Sequence, residues 1–229
     1  MNVRGLFVIG LSFLGASVAL ADPTSICDNT PTTNLVQNCG FELPYSGGAG
    51  TVPTDWTGAQ FTTYEDVVTS PVNSGSQSLR IANNEFQGGE PLFDGAAILS
   101  QTISDVAGQN YILAFYLYNG MPNNGGSPNG SNEQFQAFWG SASDPTGGSP
   151  VFVDTGYVPS SWTEYLVSVV GTGSDTITFT SYNTPSYYYL DDVSVTVDPA
   201  PEPASLIPLA LGMAGLVVAV RRRSRSKAV

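Results

Sequence analysis

The 229-residue chain contains no histidine. That removes the Ser-His-Asp and Cys-His arrangements of nucleophilic catalysis and every histidine-based metal site. Cysteine is nearly absent as well: Cys27 and Cys39 are the only two, and their spacing is not CxxC. This argues against a thiolate metal site or a catalytic pair. Positive charge is missing from the middle of the chain. Of the seven Lys and Arg residues, Arg4 stands near the start, and Arg221, Arg222, Arg223, Arg225 and Lys227 crowd the end, leaving only Arg80 between them. All nineteen acidic residues lie from Asp22 to Glu202, which gives that segment a net charge of −18. Such a surface repels phosphate backbones, so nucleic acid is not an expected partner, and it can attract divalent cations. Leu, Lys and Glu at helical spacing are scarce too. Gly, Ser, Thr, Asn and aromatic residues are abundant, a composition that predicts many strands joined by turns.

The two ends read as addresses. Arg4, the apolar run Leu6 to Val18 and the small-x-small triplet Ala19-Leu20-Ala21 form a secretory signal peptide over residues 1–21, with the mature protein expected to begin near Asp22. At the other end, residues 199–229 combine a short hinge, the rigid Pro201-Glu202-Pro203, an uncharged run from Ala204 to Val220 and a basic terminus. Two prolines hold the first part extended. The run 204–220 is just long enough for a transmembrane helix across a thin hydrocarbon core. The basic residues stay on the cytoplasmic side, which puts everything before them outside the inner membrane. On these features alone the segment is either an ordinary C-terminal anchor or a processed one. Its three-part order resembles the PEP-CTERM sorting signal of exported bacterial proteins. The resemblance implies a temporary anchor removed by an exosortase, a membrane-embedded cysteine peptidase, and delivery to the cell envelope or the extracellular space.

The fold must then come from residues 22–198. In an exported protein Cys27 and Cys39 are expected to form a disulfide closing a short loop, with a stabilisation of about 3 kcal/mol in the chain-entropy model. Strands are expected over Asn34–Leu43, Phe61–Val68, Gln77–Ala82, Ala97–Ile103, the central YILAFYLYN, Gln134–Trp139, Val151–Thr155, the segments around Tyr165–Val169 and Ile177–Phe179, and Tyr187–Val197. The turn Asn73-Ser74-Gly75 separates two of them, and Gly171-Thr172-Gly173-Ser174 another two. In the last strand Val193, Val195 and Val197 are read as inward, and Asp191 shares their parity. Nine or ten strands at this spacing predict an all-β fold, a two-sheet antiparallel jelly-roll sandwich.

NLVQNCGFEL followed by Trp56, then ILSQTISDVAGQNYILAFYLYN, and finally YYYLDDVSV resemble the jelly-roll carbohydrate-binding modules of families 4, 9 and 22, of galactose-binding-like fold, over Asn34 to Val197. The resemblance implies that Glu42, Asp191 and Asp192 meet where the terminal strands adjoin and hold a structural Ca²⁺. The residues themselves agree to a point: an inward carboxylate must be paired, hydrogen-bonded or metal-bound, and Arg80 alone can pair very few of them. Hard oxygen ligands suit calcium. The alternative is a strand-end carboxylate that accepts backbone N–H bonds.

An enzyme is not expected. A glycosidase needs two carboxylates flanking one bond, and the adjacent pair Asp191-Asp192 would point to opposite faces of a strand. Binding is the stronger reading, because sugar rings stack on exposed aromatics. Trp56, Trp139, Trp162 and Tyr187-Tyr188-Tyr189 are the aromatics to weigh. Parity assigns Trp139, Tyr187 and Tyr189 to the core and leaves Phe138 and Tyr188 as the outward platforms. The chain thus reads as an exported, non-catalytic envelope or matrix protein with a carbohydrate-binding-like sandwich and exopolysaccharide as a partner. A structural or adhesive surface protein without specific glycan binding is the other reading. An outward aromatic patch would separate the two.

Overall fold

The computed structural model describes residues 27, 33–44, 47–82, 96–121, 133–141, 148–183 and 186–198. The signal-peptide segment 1–21 and the segment 199–229, with Pro201, Glu202, Pro203 and the apolar run 204–220, lie outside the described residues.

Ten strands follow one another: β1 (Thr57–Ala59), β2 (Asp66–Val68), β3 (Ser78–Ile81), β4 (Ala97–Ile103), β5 (Asn110–Asn119), β6 (Glu133–Gly140), β7 (Phe152–Asp154), β8 (Thr163–Val170), β9 (Asp175–Asn183) and β10 (Tyr188–Val197). They form two antiparallel five-stranded sheets. The first has the order β1-β4-β9-β6-β7 and the second β2-β3-β10-β5-β8. The fold is the all-β jelly-roll sandwich that the strand spacing predicts. Apart from β2–β3 and β6–β7, successive strands cross between the sheets, so Gly171–Ser174 joins β8 of one sheet to β9 of the other rather than closing a hairpin.

Alternation builds the core. Tyr111, Leu113, Phe115 and Leu117 of β5 face Ile177 and Phe179 of β9 and Phe135 and Ala137 of β6, all buried. Phe115, Phe135 and Phe179 form a triangle with ring centroids 5.3–6.0 Å apart. Each such pair contributes about 0.5–1.5 kcal/mol beyond its area burial. Cys27 and Cys39 are bonded, with Cα atoms 6.0 Å apart, and both are buried against this core.

Of the strand expected over Phe61–Val68 only Asp66–Val68 forms, and two further expectations fail for local reasons. Asn34–Leu43 is not a strand: Asn38 and Phe41 take positive φ (47° and 60°), which breaks extended geometry. The segment still runs beside β10 through Leu35 N–H to Val195 O and Val193 N–H to Cys39 O, and it drives Phe41 into the core. The second failure lies in β10. Its register on β5 pairs Asp191 with Tyr116 but Ser194 with Ala114, so three steps on β10 match two on β5. This is a β-bulge, with Asp192 in the left-handed region at φ 49°. Inward parity therefore changes phase. Val193 and Val195 point into the core, but so do Leu190 and Tyr188, while Val197 is 49% exposed.

Candidate functional site

The bulge corrects the aromatic assignments directly. Tyr188 is 0% exposed, packed in the core with its ring 5.5 Å from that of Phe135, and cannot serve as an outward platform. Tyr187 and Tyr189, expected inside, stand on the other side and are half-buried. Phe138 does lie on the outer side of β6, opposite Thr178 of β9, but it is also 0% exposed. Parity decides the side of a sheet and not what closes over it, so Phe138 offers no platform either. Trp139 keeps its core-side parity and donates its indole N–H to Val170 O at 2.9 Å.

The same bulge moves Asp191 off the core side, onto the opposite face of β10, where the loop between β2 and β3 buries it. Asp191 Oδ2 accepts from Asn73 N–H (2.9 Å) and Ser74 N–H (3.4 Å), and its Oδ1 from Asp192 N–H (2.8 Å). Asp192 accepts from Asn73 Nδ2 (2.7 Å) and Ser74 Oγ (2.8 Å). Glu42 Oε1 accepts from Ser76 N–H (2.7 Å) and Gln77 N–H (2.9 Å) on the far side of the same loop. Gly75 makes this approach possible: its φ is +68°, and a Cβ there would collide with the Glu42 carboxylate. All three expected ligands thus meet one five-residue loop. Among the described residues they do not gather into a single cluster of ligating side chains.

Their oxygens are hard donors and their charge is unbalanced, which suits a calcium ion completed by backbone carbonyls. Their lone pairs already accept hydrogen bonds, which suits the strand-end alternative. Burial first, and then the neighbouring Asp192 carboxylate, push Asp191 up to about 8, against the pull of its N–H donors.

On the outer face of the second sheet the cross-strand register sets out a row. Asp66 of β2 pairs with Arg80 of β3, Arg80 with Tyr189 of β10, and Tyr189 with Tyr118 of β5. Trp162, just before β8, continues the row, its ring 5.7 Å from that of Tyr118. Tyr118 and Tyr189 meet edge-on at 5.6 Å, Tyr189 and Tyr187 at 6.5 Å, and Tyr187 and Tyr64 at 6.5 Å. All five rings are half-buried. Arg80 lies among them with its Cζ 4.7 Å from the Tyr187 ring centre and its Nε–H donated to Tyr64 O at 2.9 Å. Sequence reading named Trp162, Tyr187 and Tyr189 but missed Tyr64 and Tyr118. The signal for Tyr118 was present: the even side of YILAFYLYN carries Tyr116 and Tyr118, aromatic yet opposite the core residues.

On the outer face of the first sheet, β1, β4 and β9 carry polar side chains. Thr57 Oγ1 and Ser100 Oγ share a hydrogen bond of 2.8 Å, as do Thr102 and Thr176 at 2.9 Å. A groove of about 400 Å³ beside them is lined by Gln37, Asp55, Thr57, Ser100, Gln101 and Thr102, among others.

No family model matches the chain, and no curated protein sequence matches it. Solved structures do. A family 61 carbohydrate-binding module in complex with β-1,4-galactotriose is 15% identical, covering 72% of this chain and 99% of its own, with a TM-score of 0.46. A family 4 carbohydrate-binding module is 18% identical over 71% of this chain and 99% of its own, TM-score 0.46. The K1 cleaved adhesin domain of Lys-gingipain from Porphyromonas gingivalis is 15% identical over 69% and 96%, TM-score 0.46. These are what the chain is similar to, and no residue role passes from them to it.

Proposed function

We propose that this protein is an exported, non-catalytic polysaccharide-binding component of the cell envelope or extracellular matrix, sorted through a PEP-CTERM tail. The observation that supports the binding is the row of half-exposed rings on the second sheet, Tyr64, Tyr187, Tyr189, Tyr118 and Trp162. Tyr and Trp offer apolar faces to the C–H side of a pyranose and polar edges to its hydroxyls. Neighbouring strands stand about 4.8 Å apart, so a glycan running across them would meet one side chain after another.

Co-sedimentation with the host's own exopolysaccharide tests this. The protein should pellet with the polymer, and Trp162→Ala and Tyr118→Ala should each weaken binding about fivefold or more, at one stacking contact apiece. Equal pelleting of the protein and both variants would remove the row from the binding surface. Intact-mass measurement of the native protein tests the sorting. Loss of the mass of 204–229 is expected, and a retained tail leaves a permanent anchor. Calcium at Glu42, Asp191 and Asp192 belongs to the same proposal, as an ion that ties the first and last segments of the domain to one loop.

A structural or adhesive role has its own support in β8. Among the described residues this strand is one of the two edges of the second sheet, and it exposes Leu166 (64%) and Val170 (54%). Beyond Glu164 the strand carries no charge, and long edges with so few charges invite pairing with other chains.

A further inference from the structure

Arg80 is the only basic residue between Ala21 and Glu202, in a segment with nineteen acidic ones. A lone cation in so acidic a domain would be expected to neutralise a carboxylate. Among the described residues it pairs with none. Its one hydrogen bond runs from Nε to Tyr64 O, and its cross-strand partner Asp66 makes no ion pair with it. The guanidinium instead lies over the Tyr187 ring, Cζ 4.7 Å from the centroid, in the middle of the aromatic row. Two contacts hold the group in place, the Nε–H bond to Tyr64 O and the approach of Cζ to the Tyr187 ring. Among the described residues the Nη edge, the fork that binds a carboxylate bidentately, has no hydrogen-bond or ion-pair partner.

We propose that this row reads a polysaccharide that is largely neutral but bears a carboxylate, such as a uronic acid, in its repeating unit, with Arg80 binding that carboxylate. The inference rests on the aromatic row being the glycan-binding surface, as proposed above. Charge on both scales selects this ligand. A polyanion with a charge on every sugar meets a segment of net charge −18 and is repelled. A wholly neutral chain leaves a pre-oriented guanidinium unused. A sparse carboxylate meets one cation at one position while Tyr118, Tyr189 and Trp162 stack the neutral sugars on either side. The rings also lower the local dielectric around the ion pair, which strengthens it.

The test uses one polymer in two forms: a glucuronate-bearing heteropolysaccharide with a neutral backbone, and the same polymer with its carboxyls reduced to hydroxymethyl groups. Binding of the purified protein to each is measured by co-sedimentation and affinity electrophoresis. The protein should bind the native polymer at least tenfold more tightly than the reduced one, the scale of one charge-assisted hydrogen-bonded contact. Arg80→Gln should bind both forms alike, at the level of the unmodified protein on the reduced polymer, and Tyr118→Ala should weaken binding to both. Arg80→Lys should recover only part of the preference, since a point charge lacks the fork. The comparison of the two polymers on the unmodified protein needs no variant, so a misfolded Arg80→Gln does not blunt it. Equal binding of native and reduced polymer overturns the role of Arg80 and leaves glycan binding standing. Binding to neither overturns the glycan-binding reading itself.

Discussion

Tyr188 donates its phenolic hydrogen to Asp154 Oδ2 across 2.9 Å, and both residues are buried. Asp154 also accepts from Gly156, Tyr157 and Val158 N–H, so one carboxylate organises the turn after β7 and ties it to the start of β10. Burial first, and then the Asp154 charge, raise the Tyr188 pKa far above the ordinary phenol value. Tyr188→Phe keeps the packing and removes one charge-assisted bond, so it should cost about 1–3 kcal/mol in urea unfolding. In an alkaline spectrophotometric titration Tyr188 should stay protonated well above the ordinary phenol range. An unfolding midpoint indifferent to Tyr188→Phe would show that the hydrogen bond contributes nothing net.

The Cys27–Cys39 disulfide closes a loop with a sequence separation of 12. Cys39→Ser should lower stability by about 3 kcal/mol in the chain-entropy model. The loss should be local. Hydrogen exchange at Val193, whose N–H bonds to Cys39 O, and at Leu35, bonded to Val195 O, should accelerate more than at Phe179 in β9. Uniform acceleration across both sheets would contradict this.

Two further carboxylates give the pH dependence its sign. Glu65 is buried, and desolvation raises its pKa although Thr62 and Ala82 donate to it. Asp105 is raised by desolvation and then by its interaction with the Asp175 carboxylate, against the pull of Gly173 N–H. A carboxyl with a raised folded pKa holds its proton more tightly folded than unfolded. Its contribution is therefore fully present below the ordinary carboxyl range and is lost as pH rises through the folded pKa. Unfolding free energy should fall from about pH 4 toward neutrality, and Glu65→Gln should flatten part of that slope. A slope of the opposite sign, measured in urea at several pH values, would refute the reading.

Calcium makes a separate forecast. If the ion binds at the loop 73–77, thermal unfolding should move upward with Ca²⁺ and downward with EGTA, by about 2.7 kcal/mol at a hundredfold excess over Kd. Glu42→Gln should remove most of that response. A melting temperature unmoved by either reagent assigns Glu42, Asp191 and Asp192 to hydrogen bonding of the loop alone.

Strand content was legible because period-2 alternation leaves a plain record in β4, β5, β6 and β9. The turn Asn73-Ser74-Gly75 was legible as well, but no residue pattern showed that Glu42 and Asp191 both accept hydrogen bonds from the loop around it. What could not be read was phase. One extra residue near Asp192 exchanges the inner and outer sets of the strand, so Tyr188 enters the core and Tyr187 and Tyr189 leave it. A bulge has no compositional mark of its own, and parity carried back from Val193 and Val195 gives the wrong face. The row Arg80–Tyr189–Tyr118 was hidden for a second reason: it exists only across strands distant in sequence.

Strand β10 also fixes how the domain would bear a load. It lies between β3 and β5, and along its second half the segment from Leu35 to Cys39 takes the place of β3. Tension applied through Asp198, along the strand, would slide β10 against both neighbours at once. The bonds of such a strand are stressed together in shear and must fail together, whereas an edge strand peels one bond at a time. The Cys27–Cys39 bond limits how far the N-terminal flank can give way under that pull. A chain held to a surface from beyond Val197 would thus be gripped by a strand laced on both sides.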